Sequence, residues 1–172
     1  MFVRLKKIKG VRYSYLVSNT WDKKRKTARQ KTLKYLGRTV ELPKAKKDFS
    51  SFINKDIQAY ISENDYDKIV GDLVLFELSQ HGFMIDEKVH LDGYHYDKDA
   101  RMIRENSKPV SLKINEGHMN EHTISNLYNF RLPGRYDEYD DKRPKALAEA
   151  FVAAGLDVPK DVFVHLFEKL SK

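Results

Sequence analysis

Apolar and polar positions alternate with a period of two through the first forty residues. The period becomes helical from about residue 48 to Gly82, returns to two as far as Ile114, and is helical again to the end of the chain. In the first region Phe2 to Ile8 mixes apolar and basic residues, and Lys9-Gly10 offers a tight turn. Val11 to Val17 places Val11, Tyr13, Tyr15 and Val17 on one face and Arg12, Ser14 and Leu16 on the other. The stretch SNTWDKKRKT reads as a polar loop. Ala28 to Leu36 reads as a third strand, ended by Gly37. A three-stranded antiparallel meander follows from this. It is too small to bury a core of its own, so it should pack on a neighbour, the helix that follows being the nearest.

Leu42-Pro43 and the KAKK run read as a linker. Phe49, Phe52, Ile53, Ile57, Tyr60 and Ile61 then recur at helical spacing behind Asp48 or Ser50 as N-cap. A second helix is predicted from Asn64 or Asp65 to Gly82. Ile69, Val70, Leu73, Val74, Phe76 and Leu78 make it apolar around most of its circumference, which predicts a central position. Lys88–Leu91 and Tyr94–Tyr96 flank Asp92-Gly93 as a hairpin with a type I′ turn. Arg101–Arg104 and Val110–Ile114 are further strands, the second with Val110, Leu112 and Ile114 inward. Asn120 caps a helix carrying Ile124, Leu127 and Tyr128, broken at Pro133-Gly134, and Tyr136–Asp141 reads as a solvated acidic loop. Leu147, Ala150, Phe151 and Ala154 mark the next helix, ended by Gly155. The last helix has Asp157 as cap, Pro159 in its first turn and Val162, Phe163, Leu166, Phe167 and Leu170 as its apolar stripe, and the short connection makes the two antiparallel neighbours. The fold class expected is α+β. A basic three-stranded sheet over 1–47 would be packed on or linked to a mixed domain over 48–172, with its own meander and four to five helices.

Charge sharpens that division. Residues 1–47 hold sixteen Lys and Arg against Asp22 and Glu41, a net of +14. Residues 48–172 hold sixteen basic and twenty-three acidic residues, a net of −7. A short segment this positive repels itself and points to an anionic partner, nucleic acid being the commonest, although a solvated basic face gives the same composition. A hydrophobic content of 41% provides for a real core. The absence of cysteine excludes disulfides and Cys-containing zinc sites. No apolar run approaches the ~20 residues of a membrane span, and the opening MFVRLKKIKG lacks the apolar core of a signal peptide. A cytoplasmic protein is the expectation, and a nucleoid- or ribosome-associated one would have the same composition.

The candidate phosphate-binding residues are Arg4, Lys6, Arg12, Arg29, Lys31 and Lys34 on strands, Lys23, Lys24, Arg25 and Lys26 in the loop, and Arg38 after the third strand. Trp21, the single tryptophan, sits beside the KKRK run. It could stack on a base or wedge into a groove, or it could plug the meander against the helical domain. In the second half Asp86, Glu87, Asp92, Asp97, Asp99 and Glu105, with Lys88, are the residue types of a metal-dependent nuclease, but Asp92, Asp97 and Asp99 fall where turns use aspartate for their own backbone bonds. His118 and His122 do not form an HExxH motif, and His90 and His95 flank the Asp-Gly turn. The last helix carries Asp161 and Glu168 among its cations, too acidic for a recognition helix.

The order FVRLKK, YSYLV, a charged loop, then RQKTLKYLGR, with Arg29, Gln30, Leu36 and Gly37 after Tyr13 to Val17, resembles the extreme N-terminal segment of a group of DDE-type insertion-sequence transposases. The resemblance covers residues 1–40, and the catalytic domain of those enzymes does not follow. The whole chain is similar to small archaeal proteins that pair such a basic start with an ending like GLDVPKDVFVHLFEKL. The resemblance implies a nucleic-acid-binding unit attached to a non-catalytic partner domain, with DNA slightly favoured over RNA. The resulting expectation is a non-enzymatic nucleic-acid-binding protein with no cofactor and no metal. The second domain would position the module, form a homo-oligomer or hold a protein partner. A protein-interaction or self-assembling module built on the charge split is the alternative, and a nuclease a further one.

Overall fold

The computed structural model describes residues 1–24, 26–133 and 142–172. Arg25, the break expected at Gly134 and the acidic Tyr136–Asp141 stretch lie outside the described residues. The fold is α+β. Strands β1 (Phe2–Ile8), β2 (Val11–Asp22) and β3 (Thr27–Glu41) form the predicted antiparallel meander. Lys9 and Gly10 turn the first corner with φ of 48° and 85°, the left-handed pair that a type I′ hairpin requires.

Two of these strands are longer than their apolar pattern indicates. The expected loop after Val17 is strand as far as Asp22, and β3 runs through Gly37 to Glu41. Polar Ser18, Asn19 and Thr20 break the alternation, but the ladder to Lys31, Gln30 and Arg29 continues without them. Gly37 is a crossing point instead of an end. Its φ is 114°, and a Cβ there would lie 2.2 Å from the Pro109 carbonyl oxygen. This close approach lets Arg38–Glu41 pair in parallel with Val110–Lys113 of β8 (Lys108–Ile114). The meander therefore attaches chiefly edge to edge through β8.

The remaining strands are β4 (Met84–Ile85), β5 (Val89–Leu91), β6 (Tyr94–Asp97), β7 (Met102–Glu105) and β9 (Gly117–Met119). The short β4 and β9 carry too few residues to show a period. Strand order is β1-β2-β3-β8-β7-β6-β5-β4, so one sheet crosses from the basic segment into the acidic one. On the edge away from β3, β8 pairs first with β7 and then with β9. Both faces of β8 are covered: Val110, Leu112 and Ile114 are buried as predicted, and so is Ser111, which accepts from the Asn120 amide at 3.2 Å.

The helices are α1 (Phe49–Ile53), α2 (Ile57–Glu63), α3 (Tyr66–Gln80), α4 (Glu121–Tyr128), α5 (Lys142–Ala153) and α6 (Lys160–Leu170). The single helix expected over Phe49–Ile61 is broken, because Asn54 is left-handed at φ 52° and Asp56 caps a new start. Helix α3 is central as its composition predicts: Ile69, Val70, Val74 and Leu78 are fully buried. Asn120 caps α4 in a reciprocal box with Thr123. The N-cap of α6 is Pro159 in place of the expected Asp157, whose carboxylate instead accepts from Lys44 at 3.0 Å. Helix α6 packs on α2, where Lys169 Nζ donates to the Ile61 carbonyl at 2.6 Å, and meets α5 through the Phe151 and Phe163 rings at 6.5 Å.

The expected linker, residues 42–48, is irregular but fastened. Ala45 N–H donates to the Gln80 carbonyl at 2.8 Å and Lys47 Nζ to the Ser79 carbonyl at 2.7 Å. Lys44 reaches Glu77, which is 1% exposed. That carboxylate also accepts from Asn115 Nδ2 at 2.8 Å and the Asp157 N–H at 3.2 Å, and lies 3.2 Å from His81 Nε2.

Candidate nucleic-acid interface

Strand β1 pairs with β2 only as far as Val17, whereas β2 and β3 remain paired to Asp22 and Thr27. Beyond Val17 the meander is therefore a two-stranded ribbon, Ser18–Asp22 against Thr27–Lys31. Neither face is buried: every residue is exposed except the half-buried Ser18 and Asp22. Such a ribbon has no core. Its hydrogen bonds and the better-packed root beneath it hold it in place. At that root Leu16, Val17 and Leu36 are buried and Ser14 Oγ lies 2.9 Å from Thr39 Oγ1.

Residues opposite one another across a ladder share a face. One face of the meander carries Arg4 opposite Tyr15, Lys6 opposite Tyr13, and Arg38 opposite Tyr13 on the other side. Tyr35, the residue opposite Tyr15, brings its ring centroid to 5.5 Å from that of Tyr15 and 6.3 Å from that of Tyr13. Lys6 Nζ stands 4.8 Å above the Tyr15 ring. Burial among the other two tyrosines raises the Tyr35 pKa, so the hydroxyl stays protonated and can donate. Farther out on the same face Asn19 lies opposite Gln30, and Trp21 opposite Ala28. The reverse face presents Lys31 opposite Ser18 and Arg29 opposite Thr20.

The predicted binding residues separate into two groups. Arg12, Lys34 and Arg38 are engaged within the molecule. Arg12 meets Glu41 at 2.8 Å, Lys34 meets Glu121 at 2.7 Å, and Arg38 Nη2 bonds both Glu105 oxygens at 2.9 Å and Tyr94 at 3.0 Å. The first joins β2 to β3 within the meander, and the other two tie its root to the start of α4 and to β7 and β6. Arg29 leans on Asp22 at 3.5 Å. Lys23, Lys24, Lys26 and Lys31 are exposed and meet no carboxylate among the described residues, as do Arg4 and Lys6 on the tyrosine face. The Lys24 N–H donates to Asp22 Oδ1 at 3.1 Å, which shapes the turn. Trp21 is 65% exposed on a strand and plugs nothing.

Sequence reasoning did not single out Asn19 because residues 18–27 read as loop, nor Gln30 and Tyr35 as facing partners because the register of the third strand against the second was not fixed. The signal was present: the odd-numbered face of β2 runs on from Val17 through Asn19 to Trp21, and Gln30 and Ala28 have matching parity on the third strand.

The acidic half makes no comparable cluster. Asp86 accepts from the Lys88 N–H at 2.8 Å and Asp97 from the Ala100 N–H at 2.9 Å, Asp92 occupies the turn at φ 36°, and Glu105 holds Arg38. Among the described residues no group of three or more His, Asp or Glu is placed to hold a metal ion. A cleft of about 430 Å³ opens beside Lys44, Lys47, Gln80, Asn115 and Asp157. Lys44 and Asn115 of its lining are bonded to the buried Glu77, which is already surrounded by donors and marks a structural clasp. Burial and the nearby cations lower the His118 and His122 pKa values; for His118 these are Lys113 and Arg12, for His122 the chain's amino terminus and Lys34. No helix described is long and apolar enough to cross a membrane. Comparisons with protein-family models, curated proteins and solved structures find no match to this chain.

Proposed function

We propose that this protein binds nucleic acid through the projecting β2–β3 ribbon, with duplex DNA as the favoured form. The observation that carries the reading is a ribbon that leaves the body of the molecule with both faces in solvent and exposed lysines at its tip. A buried ribbon would need apolar faces, and a merely solvated hairpin has no need of an exposed tryptophan beside Lys23, Lys24 and Lys26. Two strands lie about 4.8 Å apart, so a ribbon fits along a major groove about 12 Å wide. Glu41, Glu105 and Glu121 pair with cations at the root, and the single tip carboxylate, Asp22, is outnumbered by the lysines there, which directs a polyanion to the distal end. The body holds the ribbon and need not take part in chemistry.

The test is a titration of the full chain against duplex DNA, duplex RNA and single strands at several salt concentrations. Six engaged phosphates give a log–log slope of about −5 on a duplex. Replacing Lys23, Lys24 and Lys26 by alanine is expected to weaken binding and flatten the slope by about 3 units. An unchanged affinity and slope would remove the tip from the interface.

A further inference from the structure

The ribbon presents two chemically different faces, and one of them carries a facing pair of uncharged amides. On it Asn19 and Gln30 stand directly opposite each other, both exposed. No protein partner of either side-chain amide is present among the described residues. Next along the same face are Trp21 and Ala28. An amide of Asn or Gln matches adenine in the major groove, donating to N7 and accepting from the N6 amino group, and apolar groups contact the thymine methyl. The reverse face has Lys31, Arg29, Thr20 and Ser18 at the corresponding positions, groups that hold phosphate and whose cations match guanine, not adenine.

The placement of charge agrees with this division. Asn19 is four residues from Tyr15, the partner of Arg4, and four residues from Lys23. At ~3.3 Å per residue the amide pair therefore has cations about 13 Å away in both directions along the ribbon. With the ribbon along the groove, the amides sit over base edges while the cations at root and tip reach the phosphate walls.

Resting on the nucleic-acid reading above, we propose that Asn19 and Gln30 form a base-reading pair. They make this protein a sequence-selective binder of duplex DNA whose recognised core contains adenine read from the major groove. Arg4, Lys6 and the tip lysines hold the phosphates without regard to sequence, and Trp21 with Ala28 covers the neighbouring thymine methyl. The tyrosine cluster lies on the same face nearer the root and braces the sheet there.

The experiment is selection by the full chain from a randomised duplex library, followed by titration of the enriched duplex and a scrambled one. A short core containing A·T pairs is expected, preferred over the scrambled duplex by about 10-fold for each amide engaged. The N19A/Q30A variant is expected to bind both duplexes alike, with the salt slope of the wild type, since no phosphate contact is removed. Replacing the core adenines by 7-deaza-adenine removes the N7 acceptor and is expected to lower wild-type binding only. Circular dichroism of the variant, whose two substitutions are at exposed positions, checks that the ribbon is intact. Duplex binding with no enriched core, or an enriched core that N19A/Q30A still prefers, overturns the base-reading pair and leaves nucleic-acid binding standing. Binding confined to single strands in the titration above overturns it in favour of stacking on Trp21 and the tyrosines. Failure to bind any nucleic acid overturns both readings.

Discussion

At the scale of single residues, Glu77 and Trp21 illustrate opposite uses of position. Glu77 is a carboxylate inside the body, and burial alone would raise its pKa. His81, the Asn115 amide, the Asp157 N–H and Lys44 together outweigh burial and hold it below the ordinary carboxylate value. Removing that charge leaves Lys44 and the donors facing a void, so Glu77→Ala is expected to cost about 3–5 kcal/mol in urea denaturation. A smaller loss for Glu77→Gln, which keeps part of the hydrogen bonding, would separate the charge from the shape. Trp21 is 65% exposed, so Trp21→Ala should change stability by less than about 0.5 kcal/mol. The same substitution should weaken duplex DNA binding by about 1–2 kcal/mol, the order expected from the apolar area it would cover. As the single tryptophan, it also reports directly: its emission should be that of a hydrated indole and should change on adding DNA.

At the scale of elements, the junction of β3 with β8 decides whether the meander is part of the sheet. Gly37 makes that junction possible, because any side chain there would collide with the Pro109 backbone at an unfavourable φ. Gly37→Ala is therefore expected to destabilise the fold by about 2–4 kcal/mol. Hydrogen exchange should locate the damage in Arg38–Glu41 and Val110–Lys113, the residues paired across the junction. Equal exchange across the whole chain would argue against a local pivot. The adjoining ion pairs, Arg38 with Glu105 and Lys34 with Glu121, are partly exposed and add direction more than stability. They engage two of the cations expected to grip phosphates with carboxylates of the body.

At the scale of the whole molecule, acid should act through the groups that burial has shifted. His118 and His122 have folded pKa values below the ordinary 6.5, so the unfolded chain takes up protons first as pH falls through 6.5. Stability is expected to decline from that pH downward until the folded pKa values are reached. Glu77 adds a second decline at lower pH. Its folded pKa lies below 4.5, so its contribution is complete above that value and is lost as pH falls through the folded pKa. Urea midpoints across pH 2 to 8 test both. Replacing both histidines by glutamine should remove the upper decline and leave the lower one.

Much of the architecture was legible in local pattern, and the remainder failed for identifiable reasons. The Lys9-Gly10 and Asp92-Gly93 turns, the Asn120 cap and the buried character of α3 depend on neighbours in the chain, so composition and spacing suffice to indicate them. The helix expected across Phe49–Ile61 was misread because Asn54 and Asp56 break it without disturbing the apolar spacing. The charge split was visible as a bulk property, and it put the cations of the first forty-seven residues in one place. What it could not separate was Arg12, Lys34 and Arg38, ion-paired at the root of the meander, from Lys23, Lys24, Lys26 and Lys31, left at the free end. By itself the sequence determined the local elements, the α+β class and the concentration of positive charge. Only the tertiary structure decided that β3 joins β8 in parallel and that the distal ribbon is bare on both faces. It alone set Asn19 opposite Gln30. Register between distant strands and the burial of a face are set by which surfaces meet, and no single segment of chain holds that information.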